Sequence, residues 1–384
     1  MANGKLDTWE IGAPEKTGTL PSKFFYDPEI HRREVEEIFY KTWQCVCHDS
    51  ELAAPGSYVK FDLADQSVLL IRGDDGQVHG FHNVCQHRGT RLVEAARGQF
   101  KRMIICPYHS WAYRFDGALR NAPRSEEVAG FDPAQYGLKP VRVEAFAGFH
   151  FVNLDPAAAP LAGDLEGALA TMRRYLPDLD DIELVNECDF EVEANWKVIV
   201  DNAIEGYHFK LSGPVHKDLT ALIDFDGYAL TPHGKWWTYI GPPRAVETAF
   251  GHPVAGETYQ TDWFFNIQLW PATTFYAFPY ADVIGTFHQV PLGPEKTLLR
   301  CSHYRPKGRP ESALSKAVIA WFNEELAPED IDLNLAVQRG VKSFGFDRGL
   351  YLIDARHGPN SEHLVHHFHS LVYRAVGKAP AAAE

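Results

Sequence analysis

Two short strings of the sequence each pair a cysteine with a histidine: Cys85 with His87, and Cys106 with His109. Each pair follows a run of β-forming residues, so we expect each pair in a loop between strands. Two thiolates and two imidazoles suit either a tetrahedral zinc ion or an iron–sulfur cluster of mixed ligation. Zinc fingers usually keep like ligands in one loop, whereas each loop here supplies one ligand of each kind. The spacing favours a Rieske [2Fe-2S] centre over the alternative, a structural zinc ribbon.

A second group of polar residues lies on a segment that is predicted to be a helix over residues 195–209. Asp201, Glu205 and His208 recur at helical spacing, so they share one face. Apolar side chains occupy most of the remaining helix surface. We therefore expect the two acids to point inward, where each needs a metal ion or a histidine as its partner.

The next histidine, His216, follows a Leu-Ser-Gly-Pro string that is expected to end the helix. The chain can then fold back, so that His216 approaches His208. One carboxylate would complete a two-histidine, one-carboxylate set, which is typical of non-haem Fe(II) oxygenases. Asp330 is the best candidate, because it falls in the first turn of a helix predicted over residues 328–342. Glu329 and Asp332 compete with it for this role.

The elements that must position these residues predict an α+β fold. Residues 1–43 read as an arm and a helix over 29–43 that packs with the catalytic domain. Residues 44–155 read as a small antiparallel β domain. Residues 156–384 read as a catalytic domain with an antiparallel sheet packed by helices. Further helices are predicted over 165–176, 312–326 and 361–376, and the histidines of the last are expected on its wet face.

Composition excludes several classes of protein. The 384 residues carry a net charge of −14, which argues against nucleic acid or an anionic membrane as the main partner. No stretch has the length and apolar character of a membrane span, and the N-terminus lacks the apolar core of a signal peptide. The 6 cysteines are too few and too scattered for a disulfide framework. These features predict a cytoplasmic protein.

Longer strings around these residues resemble the α (oxygenase) subunits of Rieske non-haem iron oxygenases. The string CQHRGTRL at 85–92 and the string CPYHSWAY at 106–113 resemble the N-terminal domain of that family. A second set of strings resembles the catalytic domain of that family: NWK at 195–197, followed by Asp201, Glu205 and His208, then EDI at 329–331 and VQRG at 337–340. The likeness covers residues 24–376 and implies a catalytic domain of the helix-grip type.

The resemblance implies a role for each candidate residue. It assigns the [2Fe-2S] cluster to Cys85, His87, Cys106 and His109. It assigns the mononuclear Fe(II) to His208, His216 and Asp330. Glu205 takes the place of the family's bridge between the two centres. One departure stands out, because the family usually separates its two iron-binding histidines by four residues, whereas seven separate them here.

The resemblance also implies partners. Members of the family are typically head-to-tail homotrimers, in which the cluster of one chain faces the iron of its neighbour. They use O2 as co-substrate. The sequence has no flavin or nicotinamide fingerprint, so electrons from NAD(P)H are expected to arrive through a separate reductase, with or without a ferredoxin.

The substrate is a small molecule of one of two classes. An aromatic run at residues 263–270, with Phe275, Tyr276 and Phe278, can line a pocket. Aromatic faces stack on a planar ring or surround a quaternary ammonium.

We favour ring hydroxylation of an aromatic compound slightly, as in the ring-hydroxylating dioxygenases of aromatic hydrocarbon catabolism. The alternative is monooxygenation or N-demethylation of a quaternary or N-methylated amine, since Glu205 and the C-terminal strings resemble the carnitine and glycine-betaine monooxygenase branch. A Rieske electron-transfer protein and a zinc-stabilised binding protein are the alternatives of another class.

Overall fold

The computed structural model describes residues 9–377, which divide into two compact units. One unit is formed by residues 40–161, and the other by residues 9–39 together with 162–377. The domain boundaries expected at residues 43 and 155 stay predictions. In the described part of the chain, no helix is both long and apolar enough to cross a membrane.

The unit of residues 40–161 is built almost entirely from antiparallel strands. Its main sheet has the order β1-β10-β9-β4-β3-β2-β5, and a small sheet has the order β6-β7-β8. The strands are Gln44–His48 (β1), Ser57–Leu63 (β2), Gln66–Arg72 (β3), Val78–His82 (β4), Arg97–Gln99 (β5), Ile104–Ile105 (β6), Ala112–Tyr113 (β7), Leu119–Asn121 (β8), Pro140–Phe146 (β9) and Phe149–Asn153 (β10). The small antiparallel β domain is thus confirmed.

The other unit is an antiparallel sheet with helices packed against it, as the α+β prediction expects. The sheet order is β11-β19-β18-β17-β16-β13-β12, and β14 pairs with β15 separately. The strands are Ile182–Val192 (β11), Ala229–Pro232 (β12), Trp236–Gly241 (β13), Thr248–Ala249 (β14), His252–Pro253 (β15), Phe264–Leu269 (β16), Thr273–Ala277 (β17), Ile284–Gly293 (β18) and Lys296–Pro306 (β19). The helices are Pro28–Glu34 (α1), Leu161–Asp164 (α2), Ala168–Tyr175 (α3), Trp196–Ala203 (α4), Pro214–Leu222 (α5), Ala313–Trp321 (α6), Ala327–Gly340 (α7) and His363–Val376 (α8).

Helix α4 is shorter than the prediction of a helix over 195–209. It begins where the Asn195 side chain accepts a hydrogen bond from the Lys197 N–H, and it ends at Ala203. The Glu205 carboxylate accepts hydrogen bonds from the N–H groups of Tyr207 and His208. A side chain that satisfies backbone donors in this way competes with helical hydrogen bonds, so the helix cannot continue. The expectation that Asp201, Glu205 and His208 share a helix face was therefore wrong.

Other helix bounds also differ from the sequence pattern. The predicted helix over 29–43 consists of α1 and a π-helical segment, Val35–Phe39, and it ends there. The two helices predicted over 312–326 and 328–342 form one continuous helical run, because the π-helical segment Phe322–Leu326 joins α6 to α7. Asp330 thus follows a π-helical turn rather than a free helix start, and the dipole argument for it was wrong. Such turns are frequent at functional sites.

A buried ion pair attaches the N-terminal helix to α4. The Lys197 ammonium lies 2.6 Å from the Glu34 carboxylate, and both side chains are fully buried. The Trp196 indole N–H donates to the other carboxylate oxygen of Glu34 at 2.9 Å. Burial lowers the pKa of Lys197, while the Glu34 charge opposes that shift. The pair therefore stabilises α4 only while both partners are present.

We predict that Lys197→Met destabilises the protein by about 3–5 kcal/mol, because it leaves the Glu34 carboxylate buried without a counter-charge. Urea unfolding monitored by circular dichroism measures the change. The double variant Glu34→Gln/Lys197→Met should recover much of the loss, since it removes both charges. Lys235→Met serves as a control, because Lys235 pairs with Asp164 at 2.9 Å on the surface. Equal losses for Lys197→Met and Lys235→Met would contradict the prediction.

Candidate functional site

The two Cys/His loops of the smaller unit have matching backbone geometry. In each loop the backbone N–H of the cysteine, residue i, donates a hydrogen bond to the carbonyl of residue i+5. The carbonyl of the cysteine accepts a hydrogen bond from the N–H of residue i+4. Residue i+4 is Gly89 in one loop and Ser110 in the other, with left-handed φ angles of 74° and 59°. The repeated turn brings the two cysteines together, and it does the same for the two histidines.

The four side chains are arranged as two pairs rather than around one point. Cys85 and Cys106 are buried side by side, and the rings of His87 and His109 are 4.7 Å apart. Nδ1 of His109 is buried and has no hydrogen-bond partner in the described residues. A single ion would need all four donor atoms around one point. Within residues 9–377, the one group whose ligand atoms lie that close together has three members and lies in the larger unit. The two-pair arrangement fits a two-iron cluster better than a zinc ion.

Neighbouring side chains complete this site. The Tyr113 hydroxyl lies 3.1 Å from the Cys85 Sγ, and the Trp111 ring stacks on His87 with centroids 4.8 Å apart. Burial raises the pKa of the Cys85 thiol, and the Tyr113 hydroxyl opposes that rise by hydrogen bonding. A donor at this position would also stabilise the charge of a cluster thiolate.

In the larger unit, His208, His216 and Asp330 meet at one point. The Nε2 atoms of the two histidines are 3.2 Å apart. The Asp330 Oδ1 lies 3.3 Å from the His216 Nε2 and 3.7 Å from the His208 Nε2. Within residues 9–377, these are the only three ligand-type side chains close enough together to hold one ion. The fold-back of the chain at His216 is therefore confirmed.

Each histidine of this group is oriented by a carboxylate behind it. Glu205 accepts a hydrogen bond from the Nδ1 of His208. Glu329 accepts from the Nδ1 of His216 at 2.6 Å, and also from the N–H groups of Val215 and His216. Burial alone raises the pKa of Glu329, but these hydrogen bonds outweigh it and hold the pKa below its usual value. Both rings consequently present Nε2 to the common point.

The turn before α5 makes this arrangement possible. Gly213 has φ of 30°, and a Cβ atom there would lie 1.8 Å from the Glu329 Oε2. Only glycine leaves space for the carboxylate to reach the start of α5, where it accepts the N–H groups of Val215 and His216. Glycine at this position thus allows Glu329 to orient His216.

The donor set fits a divalent iron ion. Two imidazole nitrogens and one carboxylate oxygen form the facial set of non-haem Fe(II) sites, which leaves other positions open. The Asp330 Oδ1 is buried and, although it lies 3.3 Å from the His216 Nε2, it makes no well-aligned hydrogen bond in the described part of the chain. Such an atom calls for a cation. Of the two competitors for this role, Asp332 is exposed, and Glu329 is committed to His216.

Asp201 is half-buried and has a histidine partner, as expected of an inward-pointing acid. That partner is His369, whose Nε2 lies 3.0 Å from the Asp201 Oδ2. The Nδ1 of His369 lies 2.7 Å from the Tyr351 hydroxyl. The expectation that the C-terminal histidines lie on a wet helix face was wrong, since His363 and His369 are buried. Their partners lie far away in the sequence, so no local pattern could have shown their burial.

A cavity of about 70 Å³ lies beside the three candidate ligands. Seven of its fifteen lining residues are Phe or Tyr: Phe209, Tyr239, Phe264, Tyr276, Phe278, Phe287 and Phe322. Tyr276 and Phe278 were predicted, whereas Phe275 is not among the lining residues, because alternate strand residues face opposite sides of a sheet. Tyr239 was missed, since strand β13 was not predicted.

Two family models match the chain. The Rieske [2Fe-2S] domain matches residues 42–132, and the ring-hydroxylating alpha subunit catalytic domain matches residues 179–378. The two matches include the Cys/His loops and the group of His208, His216 and Asp330, respectively.

Individual proteins are similar over almost the whole chain. The carnitine monooxygenase oxygenase subunit of Escherichia coli (strain K12) is 35% identical, over 94% of each chain. The chloroplastic choline monooxygenase of Spinacia oleracea is 28% identical, over 93% of this chain and 78% of the relative. The crystal structure of the quaternary ammonium Rieske monooxygenase CntA with L-carnitine has a TM-score of 0.85 at 31% identity, over 95% of this chain and 97% of the other.

We predict that Gly213→Ala lowers the affinity for Fe(II) roughly 10- to 100-fold, because it displaces Glu329 from His216. Iron content after dialysis against a chelator measures the loss, and the visible spectrum of the Rieske unit reports whether the rest of the protein is intact. Gly340→Ala is the matched control, since a Cβ there meets nothing within 4 Å. Unchanged iron retention in Gly213→Ala would show that Glu329 does not position His216.

Proposed function

The chain belongs to the family of ring-hydroxylating oxygenase α subunits, in which a Rieske [2Fe-2S] domain accompanies a catalytic domain, and we propose that it oxygenates a quaternary or N-methylated amine. It is an oxidoreductase, the terminal oxygenase of a Rieske system. Its cofactors are the Rieske cluster and a mononuclear iron, and O2 is its co-substrate.

The observation that carries the substrate proposal is the cavity beside Asp330. Nearly half of its lining residues are Phe or Tyr, and no Lys or Arg is among the described residues that line it. Aromatic faces attract a quaternary ammonium by cation–π interaction, and no basic side chain of the cavity adds to the positive charge of the iron. The names of the relatives point to the same class, carnitine and choline. Together these observations favour the amine over the ring hydroxylation of an aromatic compound that the sequence alone slightly favours.

We assign the residues as follows. Cys85, Cys106, His87 and His109 hold the cluster, and His208, His216 and Asp330 hold the iron. When bound, the cluster would supply electrons singly and the iron would bind O2. Glu205 and Glu329 keep the two imidazoles in the tautomer that points Nε2 at the metal. The aromatic wall holds the substrate and excludes water from the reacting carbon.

The overall reaction balances as a monooxygenation. One atom of O2 enters a C–H bond of the substrate, and the other leaves as water after uptake of two electrons and two protons. Hydroxylation at a carbon bonded to nitrogen gives a carbinolamine, which breaks down to an amine and a carbonyl compound. A separate reductase, directly or through a ferredoxin, supplies the electrons. The cytoplasmic location stays a prediction.

We also propose the head-to-tail homotrimer, in which electrons pass between neighbouring chains. A cavity of about 350 Å³ touches Glu205 and His208. Large apolar side chains are exposed on the segments that line it: Leu211, Val337, Phe344, Phe346 and Leu350. Beside the cluster ligands of the smaller unit, Ile105 and Tyr108 are exposed as well. Exposed apolar surface of this kind marks an interaction site, and a second copy's cluster is the occupant that the family arrangement requires. A monomer in sedimentation analysis would contradict this arrangement.

The proposed function predicts both metal content and products. The purified protein should contain roughly three iron atoms and two acid-labile sulfides per chain. With a reductase, O2 uptake should be stimulated by N-methylated amines, and mass spectrometry should detect a hydroxylated product or the amine and carbonyl fragments. Aromatic acids of similar size are the comparison set. Turnover of aromatic acids alone would contradict the amine proposal, and zinc without sulfide would contradict the oxygenase itself.

We predict that Glu205→Gln keeps both metal sites but reduces turnover at least 100-fold. The amide oxygen can still accept the hydrogen bond from His208, whereas the negative charge between the two centres is lost. Metal analysis and single-turnover reduction of the mononuclear site measure the two effects separately. Asp226→Asn is the control, because it removes a carboxylate whose side chain is 93% exposed. Normal product formation by Glu205→Gln would contradict this role.

A further inference from the structure

One register row of the catalytic sheet carries polar side chains across almost its whole width. Tyr239 pairs with Asn266, and Asn266 with Tyr276. Tyr276 pairs with Gly285, Gly285 with His303, and His303 with Asn186. Directly opposed residues point to the same face of a sheet, and Tyr239, Asn266 and Tyr276 all line the cavity beside Asp330. The row thus determines which polar groups the substrate meets.

The hydroxyl of Tyr276 is already occupied. A Cβ at Gly285 would lie 1.9 Å from the Tyr276 ring, so the ring lies across the glycine. Its hydroxyl reaches the Nε2 of His303 at 2.9 Å, and the Nδ1 of His303 reaches the Asn186 Oδ1 at 3.1 Å. Burial lowers the pKa of His303 to about 4, so the ring is neutral at pH 7. Nδ1 then donates to the amide oxygen, Nε2 accepts, and Tyr276 is the donor.

The hydroxyl of Tyr239 has no such partner. The residue is 2% exposed, and its OH finds no hydrogen-bond partner in the described residues. The Thr274 hydroxyl is the nearest candidate acceptor: by side-chain hydrogen bonding it lowers the pKa of the Tyr239 phenol, against the larger effect of burial. The two hydroxyls do not meet the geometry of a hydrogen bond, however, and Thr274 is likewise without a partner in the described residues. A buried donor without an acceptor is costly. Tyr239 lines the cavity beside His208, His216 and Asp330. A substrate bound there can therefore supply the atom that accepts the hydrogen bond of the Tyr239 hydroxyl.

We propose that Tyr239 is a specificity-determining residue, whose hydroxyl donates a hydrogen bond to a hydroxyl or carboxylate oxygen of the substrate. The proposal rests on the proposed function, because it adds an oxygen acceptor to the N-methylated ammonium that the aromatic wall accepts. Two neighbouring groups of the substrate are then recognised by different means: the ammonium by aromatic faces and the oxygen by a phenol. The site should discriminate against an ammonium that has no oxygen, since that ligand leaves the phenol unpaired.

Three small cations test the proposal in the holoenzyme. Choline offers a hydroxyl, glycine betaine a carboxylate, and ethyltrimethylammonium no oxygen. Titration calorimetry should show that the wild type binds at least one of the first two roughly 10-fold more tightly than the third. Tyr239→Phe should lose that difference, without weakening the binding of ethyltrimethylammonium.

Tyr276→Phe is the matched control on the same row. It should keep the preference for the oxygen-bearing ligand, because its hydroxyl faces His303. It should lower the melting temperature, whereas Tyr239→Phe in the absence of ligand should not, because only the first leaves a buried partner unpaired.

A preference that survives in Tyr239→Phe, or that is absent in the wild type although the ligands bind, would overturn this inference alone. Failure of all three ligands to bind would overturn the quaternary-amine proposal, and this inference with it.

Discussion

The hydrogen bond that each imidazole donates to a carboxylate is the constraint on which the catalytic unit depends. Glu205 holds His208, and Glu329 holds His216, so both rings turn Nε2 toward Asp330. The local structure follows from this requirement. Helix α4 ends early because Glu205 also satisfies backbone donors. The chain reverses at a glycine because any side chain there would strike Glu329. An ion at the common point would further join the segments that carry His208, His216 and Asp330, of which the last two are already linked through Glu329.

The sequence predicts the smaller site almost completely and the larger one only in part. The four cluster residues lie in two short loops, and their alternating order distinguishes a cluster from zinc without any tertiary information. His208 and His216 are also close in sequence, so their approach could be expected, although α4 ends at Ala203, before the string that was expected to end it. Asp330 lies beside the two histidines as expected, but the helix-start argument for it was wrong, since the π-helical segment Phe322–Leu326 joins α6 to the helix that carries it.

What the sequence could not predict depends on contacts between distant residues. The hydrogen bonds of Glu205 end α4, but their effect becomes visible only once the turn exists. His369 is buried because Asp201 and Tyr351 meet it, and neither lies on its own helix. The polar row through Tyr239 and Tyr276 crosses strands from residue 182 to residue 306, two of which had no clear pattern. A cavity whose lining residues are brought together by the register of paired strands therefore cannot be found by a search for motifs along the chain.

One chain should hold two different iron sites with these ligands. Anomalous diffraction from a crystal of the purified protein, collected on both sides of the iron absorption edge, tests this most directly. We predict one strong peak between the cysteine pair and the histidine pair of the smaller unit, and a second where His208, His216 and Asp330 converge. Iron peaks at other residues, or a single peak that appears only at the zinc edge, would contradict the account.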